Sequence, residues 1–595
     1  YNIFKDFLEE NDNKEVIKSR TGFKDTEVWN RLYSFQKDGV VGAINKIETY
    51  GGCIIADSVG LGKTFEALAI IKYYELRNYK VLVLTPKKLH DNWSVYRVND
   101  KRNILASDRF SYDLLNHTDL SRKGGMSGDI DLDFVNWGNY DLVVIDESHN
   151  FRNNVAVNDR ETRYEKLMKN IIKDGVKTKV LMLSATPVNN KMDDLKNQLA
   201  FITEDNDKAL EKSADIKSIS STLRKAQYIF NKWGELEENE KTTERLLDML
   251  NFDYFKLLDS LTIARSRKHI EKYYNVSDIG EFPKRLKPEN IKSDIDILGK
   301  FPSLKEINNE ILRLNLSVYA PIKYVLPHKK SYYSKLYDTK VKGGKSVLRQ
   351  IDREQSMIYL MKTNFLKRLE SSINSFTLTL ENVLNNINSK IKKLESINNE
   401  INIEIDEIDP LDTSIEEFTI GDKVKIKIKD LDIIKYKQDL ELDRNIILDL
   451  LSKSREINES RDNKLNELKN VISRKVNNPI NENNKKIIIF TAFADTAKYL
   501  YKNISIWAKE KYNLNSALVT GSENPKTTIK MSKVDLNKVL INFSPISKER
   551  EKIMLEAKED IDILIATDCI SEGQNLQDCD YLINYDIHWN PVRIV

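Results

Sequence analysis

Apolar residues fall in short unbroken runs over the first third of the chain. The runs are GGCIIADS (51–58), KVLVLTP (80–86), YDLVVIDES (140–148) and KVLMLSATP (179–187). Each is apolar at consecutive positions rather than alternate ones and closes on a polar or proline turn. That pattern suits parallel strands covered on both faces. Helix-like stretches separate the runs, so a parallel α/β lobe is predicted from about Trp29 to Asn190. From about Lys191 to Leu380 the pattern turns helical and charged. Glu381 to Asn484 is richer still in Lys, Glu and Asn. Within it, VLNNINSKIKKLESINNEI places Leu384, Ile387, Ile391, Leu394 and Ile401 at helical spacing, which predicts a helix with one apolar face. An antiparallel coiled arm and a mobile insertion both fit. KVKIKIK (423–429) alternates like a strand. The α/β pattern returns near Lys485 with KKIIIFTAFADTAKYL, then IDILIATDCISEGQNL and DYLINYDIHWNPVRIV. The expected organisation is a flank (1–28), a first lobe (29–200), its helical extension (201–380), a charged helical insertion or linker (381–484) and a second lobe (485–595).

The turn after the first run carries chemistry. In IIADSVGLGKTF (54–65), Gly60 and Gly62 allow backbone N–H groups to turn toward phosphate oxygens, and the helix that follows adds its positive N-terminal end. Lys63 is expected to reach the β- and γ-phosphates of a nucleotide, and Thr64 to ligate magnesium. The usual pattern opens with glycine six residues before the lysine; Asp57 stands there instead. In LVVIDESHNF, Asp146 and Glu147 end an apolar strand, where an acidic pair is costly unless it meets a cation or an opening. Asp146 is expected to hold magnesium through water, Glu147 to orient and deprotonate an attacking water, and His149 to hydrogen-bond across to another motif. Ser184 and Thr186, in LMLSATP, are small hydroxyl residues after a further strand that could relay the state of the γ-phosphate.

Composition narrows little else. The 595 residues carry a formal net charge of +3, from 94 basic and 91 acidic side chains. This neither demands nor excludes nucleic acid. Cys53, Cys569 and Cys579 form no pair or cluster of metal-ligand spacing, and a reducing compartment is expected. No run approaches the ~18 apolar residues of a membrane span. The chain opens on Tyr1 and reads as a fragment.

Together these stretches resemble superfamily 2 helicase-fold ATPases, and among them the bacterial branch of the Swi2/Snf2-like group. DSVGLGKT is similar to that group's first motif, which favours aspartate at the position of Asp57. LYSFQKDGV resembles the upstream glutamine motif, in which Gln36 reads the adenine edge and Phe35 is the accompanying aromatic residue. VLVLTPKKLHDNW resembles motif Ia, IDESH the DEAH-like motif II, and LSATP motif III. LTIARSRKHI resembles the arginine-rich segment that ends the first lobe, and LKRLESS (366–372) a segment that precedes the second. IIIFTAFADTAKYL resembles motif IV. ILIATDCISEGQNLQ with INYDIHWNP is similar to motif V, where Asp568, Gly573 and Gln574 approach the nucleotide cleft or relay to it. The resemblance implies two RecA-like P-loop NTPase lobes with helical insertions. It also implies ATP and Mg2+ as ligands and a cytoplasmic, nucleoid-associated protein.

The same resemblance places a motif with a Q-x-x-G-R-x-x-R pattern just beyond Val595. Arg593 lies too early to belong to it and reads as a scaffold residue, so slow hydrolysis with little DNA stimulation is expected of this chain. As track, the resemblance favours duplex DNA gripped through its phosphates, since no basic cluster is interleaved with aromatics as in a single-strand platform. Candidate grips are TPKKL (85–89) with Lys87 and Lys88, Thr491, and Thr520–Gly521. Three readings stay open: a DNA-dependent ATPase that translocates and displaces bound complexes, an unwinding helicase for DNA or RNA, and a nucleotide-gated motor serving an attached nuclease.

Overall fold

In the computed structural model the described residues are 22–152, 162–186, 191–237, 239–250, 252–274, 280, 282–340, 347–395, 402–404, 425–521, 523–554, 559–570 and 573–587. Most of the flank, Ile401 and Arg593 lie outside them. The chain divides into two compact units, Tyr1–Lys287 and Pro288–Val595.

The first unit is built on a six-stranded sheet: β1 (Gly52–Ile55), β2 (Val81–Thr85), β3 (Asp113–Asn116), β4 (Leu142–Asp146), β5 (Lys179–Leu183) and β6 (Thr262–Ile263). The order is β3-β2-β4-β5-β1-β6, and every pairing is parallel. The unbroken apolar runs now have their reason. Ile54, Leu82, Leu84, Val143, Ile145, Val180 and Met182 enter one core, while Cys53, Ile55, Val81, Val83, Leu142, Val144 and Leu181 enter another on the opposite face. With helices covering both faces, side chains pointing either way must be apolar. Helices Ile219–Gly234 and Phe252–Leu261 add Leu223, Ala226, Leu257 and Leu261 to the first of these cores.

The second unit carries a five-stranded sheet: β7 (Ile487–Phe490), β8 (Ser516–Val519), β9 (Lys526–Thr527), β10 (Ile563–Ala566) and β11 (Leu582–Asn584). Its order is β9-β8-β10-β7-β11, parallel except for β9. It too feeds two cores, Ile487, Ile489, Ile563 and Ile565 on one face and Ile488, Val519, Leu564 and Ala566 on the other. Both sheets are RecA-like, the α/β class expected for a P-loop NTPase with helical insertions.

Helices Ile373–Glu395 and Ile433–Arg455 run antiparallel in this unit. Glu395 meets Lys437 at 2.7 Å near one end of the pair, and Glu381 meets Arg455 at 2.7 Å near the other. Val383, Ile387 and Ile391 face Tyr436, Leu440 and Ile447 in a core shared with Ile307, Ile311, Phe365 and Leu369. The 380/381 division expected from composition falls inside helix Ile373–Glu395. The strand expected at 423–429 is Lys425–Lys427, paired antiparallel with Asn402–Glu404.

A polar seam joins the helices of this unit to its sheet. Arg368 Nη1 donates to Asp495 Oδ2 at 3.0 Å, the Ser371 and Ser372 hydroxyls meet Thr496 Oγ1 at 2.7 and 3.0 Å, and Ser371 also donates to Asp586. Asp586 further accepts from Thr491 Oγ1 at 2.6 Å and from the Ala492 N–H at 2.7 Å. Removing a shared acceptor costs about 1–3 kcal/mol for the donors it strands. Asp586→Ala is therefore expected to lower stability by about that amount and to speed amide exchange at Ala492, with amides of the first unit unchanged. Unaltered exchange at Ala492 would show that the seam does not hold the loop after β7.

Candidate nucleotide site

β5 lies between β4 and β1 in the first sheet, so the loops leaving their C-terminal ends are neighbours. Crevices at that end of a parallel sheet are where ligands bind. The loop after β1 turns at Gly60 and Gly62, with φ of 83° and 84°. These left-handed angles favour glycine. A Cβ at Gly62 would also run into the Gln36 amide, and one at Gly60 would lie 3.0 Å from Arg267 Nη2. Helix Lys63–Glu75 starts directly behind, and no side chain caps its first turn. Those N–H groups suit an anion.

Lys63 Nζ donates to the Asp57 carbonyl at 2.8 Å. Burial pushes its pKa below the ordinary lysine range, against the pull of Glu147, Asp57 and Asp146. Asp146 is buried at the end of β4, and burial together with the Glu147 charge raises its carboxyl to about 6. Each of its two oxygens accepts a hydrogen bond. Oδ2 accepts from Trp93 Nε1 at 2.9 Å and Oδ1 from the Glu147 N–H at 3.0 Å. Glu147 itself sits at φ 48°, ψ 54°, a left-handed conformation that is uncommon for a non-glycine residue. Burial pushes its carboxyl up, but His149 and the charges of Lys63 and Lys88 outweigh this and hold it below the usual glutamate range. His149 Nδ1 lies 3.3 Å from Glu147 Oε2 and 3.4 Å from Ser184 Oγ, and Ser184 Oγ accepts from the Thr186 N–H at 3.2 Å. The loops after β4 and β5 are thus linked through one imidazole.

Phe35 and Gln36 lie beside the phosphate loop. Gln36 is buried; its amide oxygen accepts from the Tyr33 N–H at 3.0 Å and its NH2 donates to the Leu61 carbonyl at 3.0 Å. Phe35 stacks on Tyr33 and meets Tyr274 edge-on. The donor set fits a magnesium nucleotide: a loop of positive-φ glycines, an uncapped helix start with Thr64 in its first turn, a lysine spending its charge on a backbone carbonyl, and a buried carboxylate opposite. Asp568, Gly573 and Gln574 belong to the second unit. There Asp568 follows β10, Gly573 takes φ 69°, and Gln574 Oε1 accepts from Lys548 Nζ at 3.0 Å.

Among the expected grips on a polynucleotide, Lys87 is exposed, whereas Thr491 is buried with its hydroxyl committed to Asp586. Two residues of the site carried no role in the sequence reading. Trp93, fully buried, reaches Asp146 across 53 positions. Arg265 pairs with Asp57 and Glu66, both buried. Asp57, two residues past β1, is a buried carboxylate that calls for a cation, but nothing in the sequence says which one.

Trp93→Phe keeps the packing and removes the N–H that fixes Asp146. Partners of this kind typically change metal affinity about ten-fold or more. The variant is expected to need about ten-fold more Mg2+ for half-maximal binding of a fluorescent ATP analogue. An unchanged Mg2+ dependence would remove Trp93 from the site.

Residues 463–595 match the helicase conserved C-terminal domain family. The chain is 23% identical over 552 residues to the uncharacterized ATP-dependent helicase YqhH of Bacillus subtilis, covering 91% of this chain and 68% of that protein. It is 30% identical over 138 residues to the mouse DNA annealing helicase and endonuclease ZRANB3, covering 21% of this chain and only 12% of that protein. The Sulfolobus solfataricus SWI2/SNF2 ATPase core in complex with dsDNA is 15% identical, with 95% of this chain and 84% of that one covered. Its TM-score is 0.29, too low to bear on the arrangement here. The chain is thus similar over most of its length to a protein named as an ATP-dependent helicase, and over residues 463–595 to the helicase conserved C-terminal domain family.

Proposed function

We propose that this chain binds and hydrolyses Mg-ATP in its first unit and, with its second, forms a motor that moves along double-stranded DNA to remodel or displace what is bound there. The observation that carries the proposal is the meeting of Lys63, Asp146, Glu147, His149 and Ser184 at the ends of three neighbouring parallel strands. Lys63 leaves the Asp57 carbonyl and neutralises the β- and γ-phosphates. The uncapped N–H groups at the start of helix Lys63–Glu75 hold the same oxygens. Thr64, and Asp146 through water, would hold a magnesium ion, which when bound would draw charge from the transferring phosphoryl group. Glu147, ionised at neutral pH, orients the attacking water and accepts its proton. His149 holds the Glu147 carboxylate and touches Ser184, so the state of the γ-phosphate is felt at Ser184 and Thr186. Phe35 and Gln36 receive the adenine.

Duplex DNA as the track is supported by the absence of an aromatic-basic stacking platform in the sequence and by the relatedness to DNA-acting proteins such as ZRANB3. The name of YqhH favours a second reading, strand separation. No helix among the described residues is long and apolar enough to cross a membrane. A cytoplasmic, nucleoid-associated location accompanies the proposal.

Lys63→Ala is expected to abolish hydrolysis. Glu147→Gln is expected to retain ATP binding and to lose turnover by about 10²–10⁴-fold, the usual share of a general base. Replacing both Ser184 and Thr186 by alanine is expected to spare binding and to uncouple hydrolysis from movement. Fluorescent-nucleotide titration, steady-state ATPase and triplex displacement read these effects, and a forked-duplex assay separates translocation from unwinding. Wild-type turnover in either single variant would refute the site.

A further inference from the structure

Arg265 grips three separate elements with one guanidinium. Its Nε lies 3.1 and 3.0 Å from the two Asp57 oxygens, and its Nη2 donates to both Asp57 and Glu66. Its Nη1 donates to the Phe35 carbonyl. The main chain repeats the link, with the Arg265 N–H on Asp57 Oδ1 at 2.9 Å and the Ser58 N–H on the Arg265 carbonyl at 2.9 Å. Helix Ser34–Tyr50 is notched to admit the group, since a Cβ at Gly39 would lie 2.6 Å from Nη1. The Phe35 ring centroid is 5.2 Å from the guanidinium carbon. The next residue, Gln36, holds the Leu61 carbonyl farther along the same loop. The phosphate loop is therefore fastened near both ends to the segment that carries Phe35 and Gln36.

Buried ion clusters are often no more stable than apolar packing of the same volume. Stability alone gives little reason for this one. A planar fork with five donors does what no apolar side chain can, holding acceptors on three elements at fixed angles. We propose that Arg265 is a positioning residue that couples recognition of the base at Phe35–Gln36 to the shape of the phosphate loop at Asp57. This inference rests on the ATP site described above. Its consequence is selectivity: a nucleotide gains from the coupling, whereas a bare phosphate chain does not.

The test is displacement of a fluorescent ATP analogue from the full chain by ATP and by inorganic tripolyphosphate, at fixed Mg2+. Arg265→Lys keeps the charge and loses the fork. The ratio of tripolyphosphate to ATP dissociation constants is expected to fall at least about five-fold, the lower range of coupling between sites, with little loss of melting temperature. If Arg265→Lys is poorly folded, the neutral cluster Asp57→Asn, Glu66→Gln, Arg265→Met is read the same way. A general loosening of the fold weakens both competitors together and leaves the ratio alone. A ratio within two-fold of wild type in the folded variant would overturn the coupling while leaving the ATP site standing. Failure of the wild-type chain to bind the analogue at all would instead overturn the ATP site, and the coupling with it.

Discussion

A buried ion cluster sets the shape of the first unit. Asp57 and Glu66 are fully buried, and Arg265 answers both. Two carboxylates around one guanidinium are not fully balanced. One Glu66 oxygen has no partner, and burial together with the Asp57 charge pushes that carboxyl up to about 8. The cluster continues the pairing of β1 with β6 beyond their last residues, through the Ala56 N–H to the Ile263 carbonyl and the Ser58 N–H to the Arg265 carbonyl. The phosphate loop therefore starts from a fixed strand pair. Its two left-handed glycines then aim the start of helix Lys63–Glu75, and the lysine, the acidic pair and the His149 link find their places relative to it.

The second unit solves a different problem, the attachment of a charged helical layer to a parallel sheet. Arg368, Ser371 and Ser372 end one helix and begin the next, and they present polar groups to Thr496 and Asp586 rather than an apolar stripe. Lys464 closes the seam by donating to the Glu370 and Ser371 carbonyls at 2.6 and 3.0 Å. A polar joint specifies register more sharply than an apolar one, because each misplaced donor stays unpaired.

Both sheets were legible in the sequence because strands covered on both faces need unbroken apolar runs, and such runs stand out against the polar turns around them. Lys63 and the Asp146–Glu147 pair stood out as candidates as well, since each belongs to a local pattern at a strand end. Trp93 and the Arg265 partners were not. Their bonds span 53 to 230 residues, and nothing near either residue records the distant partner. LTIARSRKHI was visible as an arginine-rich segment, yet which arginine turns inward depends on the β6 register. The boundary drawn at 380 followed composition, which weighs the charged solvent face of helix Ile373–Glu395. The apolar face of that helix continues unbroken from Phe376 through Leu380 to Ile391. Thr491 read as a candidate grip on phosphate for the same kind of reason, because its partner Asp586 lies 95 residues away.

The most direct measurement is a crystal structure with magnesium and a non-hydrolysable ATP analogue. The account predicts the triphosphate on the turn from Gly60 to Thr64, Lys63 moved from the Asp57 carbonyl to the β- and γ-phosphates, and Asp146 facing the metal with Trp93 still bonded to it. The Arg265 contacts to Asp57 should be unchanged. A nucleotide bound elsewhere, or a Lys63 that keeps its bond to the Asp57 carbonyl with the analogue in place, would contradict it.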